Sequence, residues 1–244
     1  MLKRSLRKLL TPWMWGLSAA ELGMGQRTWS QFGEDMVIPG FFPEKYVGVY
    51  VDVGAFHPIY LSNTYKLYRH GWSGLAIDAN PDFQHLYARF RSRDSFLCSA
   101  VSDSPGTLRL SRYKFGAFNC LEEHSHKVPD KFQDVVDSIE VPSDTLANLL
   151  ERSSFAHIDV LNIDCEGSDL KILQSNDWSR WLPKVVCVED HSEIWQSSQT
   201  ATFMDSLGYK IHHRVGLTTI FAETKTAEKR TGKAFHNAET TNSR

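Results

Sequence analysis

Val49-Tyr50-Val51-Asp52-Val53-Gly54-Ala55 is the stretch whose reading decides the fold. It reads as a short buried strand, β-branched and aromatic, that ends in a carboxylate and a glycine. A small-residue turn follows, and Ser62-Asn63-Thr64 can then open a helix. A second strand, Leu75-Ala76-Ile77, ends in Asp78. Strand, tight turn, helix, strand and acid is the layout of a nucleotide-type cofactor site. There the first turn approaches the ligand closely, and the later acid accepts from ribose hydroxyls.

The 244 residues allow one large domain or two small ones. Hydrophobic residues make up 41% and charged residues 23%, enough apolar content for a sizeable core. With 27 basic and 29 acidic residues the formal charge is -2, so the basic excess of a nucleic-acid binder is missing. Cys98, Cys120, Cys165 and Cys187 contain no C-x-x-C pair and read as core thiols in a reducing compartment, without a disulfide framework or structural zinc. No stretch reaches the roughly 18 apolar residues of a membrane span.

Residues 1–29 read as a basic amphipathic helix and a linker. Leu2, Leu6, Leu9 and Trp13 lie at helical spacing, so residues 1–15 suit contact with a partner subunit or a membrane surface. A homodimer is compatible with this helix, and the expected location is the cytoplasm, with peripheral attachment as an option. From residue 30 strands and helices alternate. Strands are expected at 48–53, 75–78, 95–101, 158–163 and 185–188, with helices from Ser62, Pro81, Ser143, Ser168 and near 199–207. Thr107–Tyr113 alternates like a strand with one wet face, and residues 114–138 are poorly patterned. Strands at 209–214 and 217–222 close the domain at about residue 223, and the polar residues 224–244 are expected to be disordered.

Alternation implies a parallel sheet with helices on both faces. With the closing antiparallel hairpin this is a Rossmann-like α/β fold, the seven-stranded, mostly parallel architecture of class I S-adenosylmethionine-dependent methyltransferases. Ligands in such sheets sit at the carboxyl ends of the strands. Here those ends carry Asp52 and Gly54, Asp78 and Asn80, Ser102 and Asp103, Asp164 and Glu166, and Glu189, Asp190 and His191. A dinucleotide would want G-x-G-x-x-G, but Gly54 is followed by Ala55-Phe56-His57-Pro58. S-adenosylmethionine has no phosphates. Its amino group and sulfonium favour a nearby carboxylate, a role expected of Asp52 with Ser62, Asn63 and Thr64. Gly54 and Ala55 form the turn, Asp78 with Asn80 suits the ribose, and Val101, Ser102 and Asp103 are expected to flank the adenine, with Asp164 at the reacting end.

Ser30-Gln31-Phe32-Gly33-Glu34-Asp35, Val51–Pro58, Ser62-Asn63-Thr64, Gly71-Trp72, Ile77–Pro81 and Ile163-Asp164-Cys165-Glu166-Gly167 together resemble the FkbM-type methyltransferase family over roughly residues 30–222. The resemblance implies a Rossmann-like fold, S-adenosylmethionine as donor, and O-methylation of a sugar or a polyketide-type hydroxyl. The Ser30–Asp35 motif either lines the cofactor mouth or caps a helix. Some related sugar O-methyltransferases hold magnesium with an acid after strand four and an acidic pair after strand five, a pattern that Asp164, Glu189 and Asp190 resemble. Such a Mg2+ would lower the hydroxyl's pKa, and His191 or Glu166 would take the proton. Without metal, these acids cap the Ser168 helix or Glu166 acts as base alone. Residues 113–138, with Tyr113, Phe115, Phe118, Asn119, His124 and His126, are the expected lid over a glycan or small-molecule acceptor, or an oligomer contact. The competing function is a non-catalytic module on the same fold, paired with a glycan-modifying enzyme or a membrane surface.

Overall fold

The structure is a computed structural model that describes residues 27–223, so the expected N-terminal helix over residues 1–15 and the tail 224–244 lie outside the described residues. The strands are β1 (Val49–Val53), β2 (Ser73–Asp78), β3 (Ser95–Cys98), β4 (Ala100–Val101), β5 (Gly106–Tyr113), β6 (Cys120–Leu121), β7 (Val135–Asp144), β8 (Val160–Ile163), β9 (Val185–Glu189), β10 (Tyr209–Val215) and β11 (Thr218–Glu223). The α-helices are α1 (Glu34–Val37), α2 (Tyr65–Arg69), α3 (Gln84–Phe90), α4 (Leu146–Glu151), α5 (Asp169–Gln174) and α6 (Gln199–Ser206). Seven strands form one sheet in the order β10-β11-β9-β8-β1-β2-β3. β11 runs antiparallel to both neighbours, and the pairs from β9 to β3 are parallel. This is the sheet that the alternation predicts.

Apart from Asp52 and Asn162, the central strands β1, β8 and β9 are apolar up to their last residues because both of their faces are covered. Val51 and Val53 of β1, Leu161 and Ile163 of β8 and Val186 and Val188 of β9 pack with Leu146, Leu150, Ile172 and Met204 from α4, α5 and α6. The intervening Tyr50, Val160, Val185 and Cys187 face the other way, onto Ile38, Leu67 and Trp72. Period-two alternation therefore sorts one continuous apolar run into two cores.

A buried ionic network lies under the second core. The Arg91 and Asp94 side chains are both fully buried and paired at 2.6 Å. Arg91 also donates to Tyr50 Oη at 2.6 Å and Thr64 Oγ1 at 3.0 Å, while its guanidinium lies 5.1–5.3 Å from the ring centres of Tyr50, Tyr68 and Tyr87. Asp94 accepts from Tyr50 Oη and from the Gly74 amide. Thr64 donates to Asp52, which also accepts from Asn162 Nδ2 at 2.9 Å. The chain of bonds ties α2 and α3 to β1, β2 and β8.

Two expectations change. Residues 135–144 are not a loop followed by a helix opening at Ser143: β7 pairs along its length with β5, and the cap of α4 is Thr145, whose side chain accepts from the Asn148 amide at 3.2 Å. β4, β7, β5 and β6 form a second, small sheet. Pro142 fits within β7 because its carbonyl accepts from Ser99 Oγ, so its hydrogen-less nitrogen faces the same side, where β4 pairs only with Ser143 and Asp144. The expected strand 95–101 is also divided. Ser99 donates its amide to Asp78, and Ala100–Val101 turns away to the second sheet.

Arg91→Met leaves Asp94 and Asp52 buried without their cation. Unfolding in denaturant is expected to show a loss of about 3–5 kcal/mol; an unfolding curve that overlays the wild type would refute the clamping role.

Candidate active site

The site grows from one backbone contact. Gly54 follows β1 with φ +75°, and a Cβ there would lie 1.8 Å from the carbonyl oxygen of Asp164, just after β8. Only glycine permits both the left-handed turn and that approach. The amides of Gly54 and Ala55 donate to the Ile77 carbonyl at 3.0 and 3.1 Å, and the Phe56 amide donates to Asp78 Oδ2 at 2.8 Å. The first turn thus spends its amides on holding the end of β2.

Above this turn lies a cleft with about 620 Å3 of empty space, mouth included, within the usual range of ligand sites. Gly54, Asp78 and Asp164 line it, as does Val101. Asp78 also accepts from the Asn80 amide at 2.8 Å; burial lifts its carboxyl to about 6 against the pull of the Asn80 and Phe56 amides. Each of its oxygens keeps a second lone pair. The apolar wall comes from Phe83, Ala100, Leu110 and Leu121.

Other expected residues lie outside this wall. Asp52 is 2% exposed and bonded to Thr64 and Asn162, so it forms the floor of the scaffold instead of facing the ligand. Burial pushes its carboxyl up, and Arg91 opposes that rise. Ser62 accepts from Arg91 and from the Tyr65 amide, and Asn63 donates to Asn162. Ala55 packs on Ala76 and Tyr87. Asn80 caps the turn at Pro81 by accepting from Asp82. Ser102 and Asp103 bond to each other in the turn before β5, and Ser99 and Ala100 take their expected place on the wall. The Ser30–Asp35 motif lies outside the cleft wall and closes on itself at the start of α1, where Ser30 Oγ accepts from the Gly33 and Asp35 amides. Asp35 accepts from Thr28, Trp29 and Ser30, and Glu34 bonds to the Phe32 amide and to Thr218.

A second cavity adjoins the cleft, sharing Glu166, and is walled by Lys127, Asp169, Glu189, His191, Gln199 and Thr200. The parallel register Ile163↔Val188 sets Asp164 beside Glu189. Burial, then Glu189, Asp169 and Glu166, hold the Asp164 carboxyl well above its ordinary range. Burial and Glu189 raise Glu166 to about 7, and the same two causes raise Asp169 to about 7 although it accepts from the Cys165 and Gly167 amides. The close approach of the Glu189 carboxylate, 3.1 Å away, raises His191 against burial. Glu166 has φ +49°, a left-handed backbone uncommon for a residue other than glycine.

Asp164, Glu189 and Asp190 do not come together as the expected metal set. Asp190 accepts from the Ser192 amide and from Ser198 Oγ, and Ser198 caps α6, so its carboxylate is turned toward that helix. The side chains whose ligating atoms converge are Glu166, Glu189 and His191.

A model of the methyltransferase FkbM domain matches residues 52–211. The chain belongs to the FkbM methyltransferase family. It is an S-adenosylmethionine-dependent methyltransferase. No curated protein matches the sequence. Among solved structures the methyltransferase is similar to a precorrin-6y C5,15-methyltransferase from Geobacter metallireducens GS-15, with TM-score 0.44 and 10% identity over 78% of this chain and 88% of that one. It is also similar to a TehB-like SAM-dependent methyltransferase from Corynebacterium glutamicum ATCC 13032 Kitasato, with TM-score 0.40 and 12% identity over 84% and 92%.

The FkbM methyltransferase's cleft fits this cofactor chemically. Its turn offers no free amide at Gly54, Ala55 or Phe56 for a phosphate, and the cofactor has none. Asp78 has lone pairs left for ribose hydroxyls, and Phe83 with Leu110 gives a purine an apolar wall. Sequence reasoning missed Phe83, Leu110 and Leu121; Phe83, next to the Asp78–Pro81 motif, was within reach, whereas the others depend on the second sheet.

Asp78→Ala is expected to weaken S-adenosylmethionine binding at least tenfold by titration calorimetry, since it removes the ribose acceptor and frees the Phe56 and Asn80 amides together. Unchanged affinity would rule out this placement of the ribose.

Proposed function

We propose that the protein transfers the methyl group of S-adenosylmethionine to a hydroxyl of a sugar, glycan or other hydroxylated small molecule in the cytoplasm. The observation that carries this reading is the second cavity. It opens beside the cofactor cleft, shares Glu166 with it, and presents carboxylates, an imidazole, an amide and a hydroxyl to whatever enters. Such walls recognise hydroxyl groups and leave an apolar acceptor unpaired.

The residues divide the work. Asp78 would hold the ribose, and the Phe83–Leu110 wall the adenine, with the methyl group directed toward Asp164 and Glu166. The sulfonium is already activated, so the chain's main task is alignment and exclusion of water. The lid supplies the exclusion. A Cβ at Gly116 would lie 3.5 Å from the Phe56 ring and 3.9 Å from that of Phe83, and Phe118 stacks on Phe132 with ring centres 4.5 Å apart. Lys127 reaches across to the Gly167 carbonyl. Glu166 and His191 face the acceptor space and would orient the hydroxyl and receive its proton as its oxygen bonds to the methyl carbon.

Incubating the protein with methyl-labelled S-adenosylmethionine and a panel of sugars and nucleotide sugars is expected to give a labelled methyl ether. Glu166→Gln is expected to lower kcat by roughly a hundredfold or more while cofactor affinity stays near wild type. Label found only on nitrogen or carbon would overturn the O-methyl reading.

A further inference from the structure

Glu189 ends β9 and is 6% exposed. Its Oε2 is fully buried and receives no hydrogen bond among the described residues. His191 Nε2 lies 3.1 Å away, within ion-pair reach but off the direction of a ring N–H donor. A buried carboxylate oxygen without a donor is unfavourable, so its persistence asks for a ligand. Glu166 turns toward the same point from its left-handed position. One ligand atom each from Glu166, Glu189 and His191 all lie within 4.8 Å of one another. The His191 side chain is 54% exposed, which leaves that side of the cluster open to the acceptor cavity.

We propose that Glu166, Glu189 and His191 form a site for a divalent cation of the manganese type, open toward the acceptor. Two carboxylate oxygens and one imidazole nitrogen suit such an ion, and their two negative charges balance it. Water or a pair of acceptor hydroxyls, entering from the cavity that His191 borders, would complete the shell. Asp190 has no part in the site, because Ser192 and Ser198 hold its carboxylate.

This inference rests on the reading of the second cavity as the acceptor site, and refines how the hydroxyl is activated there. A coordinated hydroxyl releases its proton to solvent. Its oxygen then forms the bond to the methyl carbon while the carbon–sulfur bond breaks, and sulfur keeps that electron pair. Glu166 and His191 then act as ligands.

The test uses the full chain, stripped of metal, titrated with Mn2+ alone and followed by loss of the free-ion electron paramagnetic resonance signal. One Mn2+ is expected to bind per chain. Glu189→Gln and, at the exposed position, His191→Ala are each expected to weaken it by roughly tenfold or more. Calorimetry with S-adenosylmethionine on the same samples is expected to show affinity near wild type. No Mn2+ binding by the wild type would overturn the site, and so would binding that both variants retain. Mn2+ binding lost in the variants, with no methyl ether formed from any acceptor, would keep the cation site and refute the proposed function instead.

Discussion

The approach of Gly54 to the Asp164 carbonyl is the constraint on which the site depends. It brings the turn after β1 against the end of β8, closer than any side chain would allow. From there the rest is local. The turn's amides fasten to Ile77 and Asp78, so the carboxyl end of β2 is set by the carboxyl end of β1. On the other side, the chain leaving Asp164 must turn sharply, and it does so through Glu166 and Gly167, both left-handed. Cofactor cleft and acidic cavity are therefore the two sides of one backbone junction.

Beneath the junction the protein keeps a fully buried arginine. Replacing such a network with apolar residues is often neutral or stabilising in other proteins, so stability alone is a weak reason to keep it. Its geometry suggests another. Arg91 reaches Tyr50 and Thr64, and Thr64 reaches Asp52, which in turn reaches Asn162. Directional bonds of this kind fix where β1, α2 and β8 sit relative to one another, which non-directional packing of Val and Leu does not. Asp52 serves the ligand by holding the scaffold under the first turn.

Much of this was legible in the sequence. The strand–turn–strand run from Val49 to Asp78 is local, so the fold and the position of Gly54 and Asp78 at the cleft could be read directly. Asp52 was placed on the wall because a carboxylate at a strand end looks the same whether it faces a ligand or a scaffold, and Arg91 lies far along the chain. The second sheet was hidden because β5 and β7 pair across a loop of irregular composition, and because Val135 and Val136 are exposed and Pro142 breaks the usual strand signature. The meeting of Glu166, Glu189 and His191 depends on the register between β8 and β9, which no single segment encodes.

The second sheet leaves the fold through the two-residue β4 and returns to it through β7, and its loop from 114 to 134 lends Gly116, Ala117 and Asn119 to one cavity and Lys127 to the other. The cleft is therefore shared: Gly54, Asp78 and Asp164 come from the ends of β1, β2 and β8, while Ala100, Leu110 and Leu121 come from the second sheet. Among the described residues, the hydrogen bonds that fix Gly54, Asp78 and Arg91 involve no residue of that loop. The loop can thus vary in its side chains without breaking the bonds that set the first turn, so the rim of the cleft and its base are specified by separate stretches of the sequence.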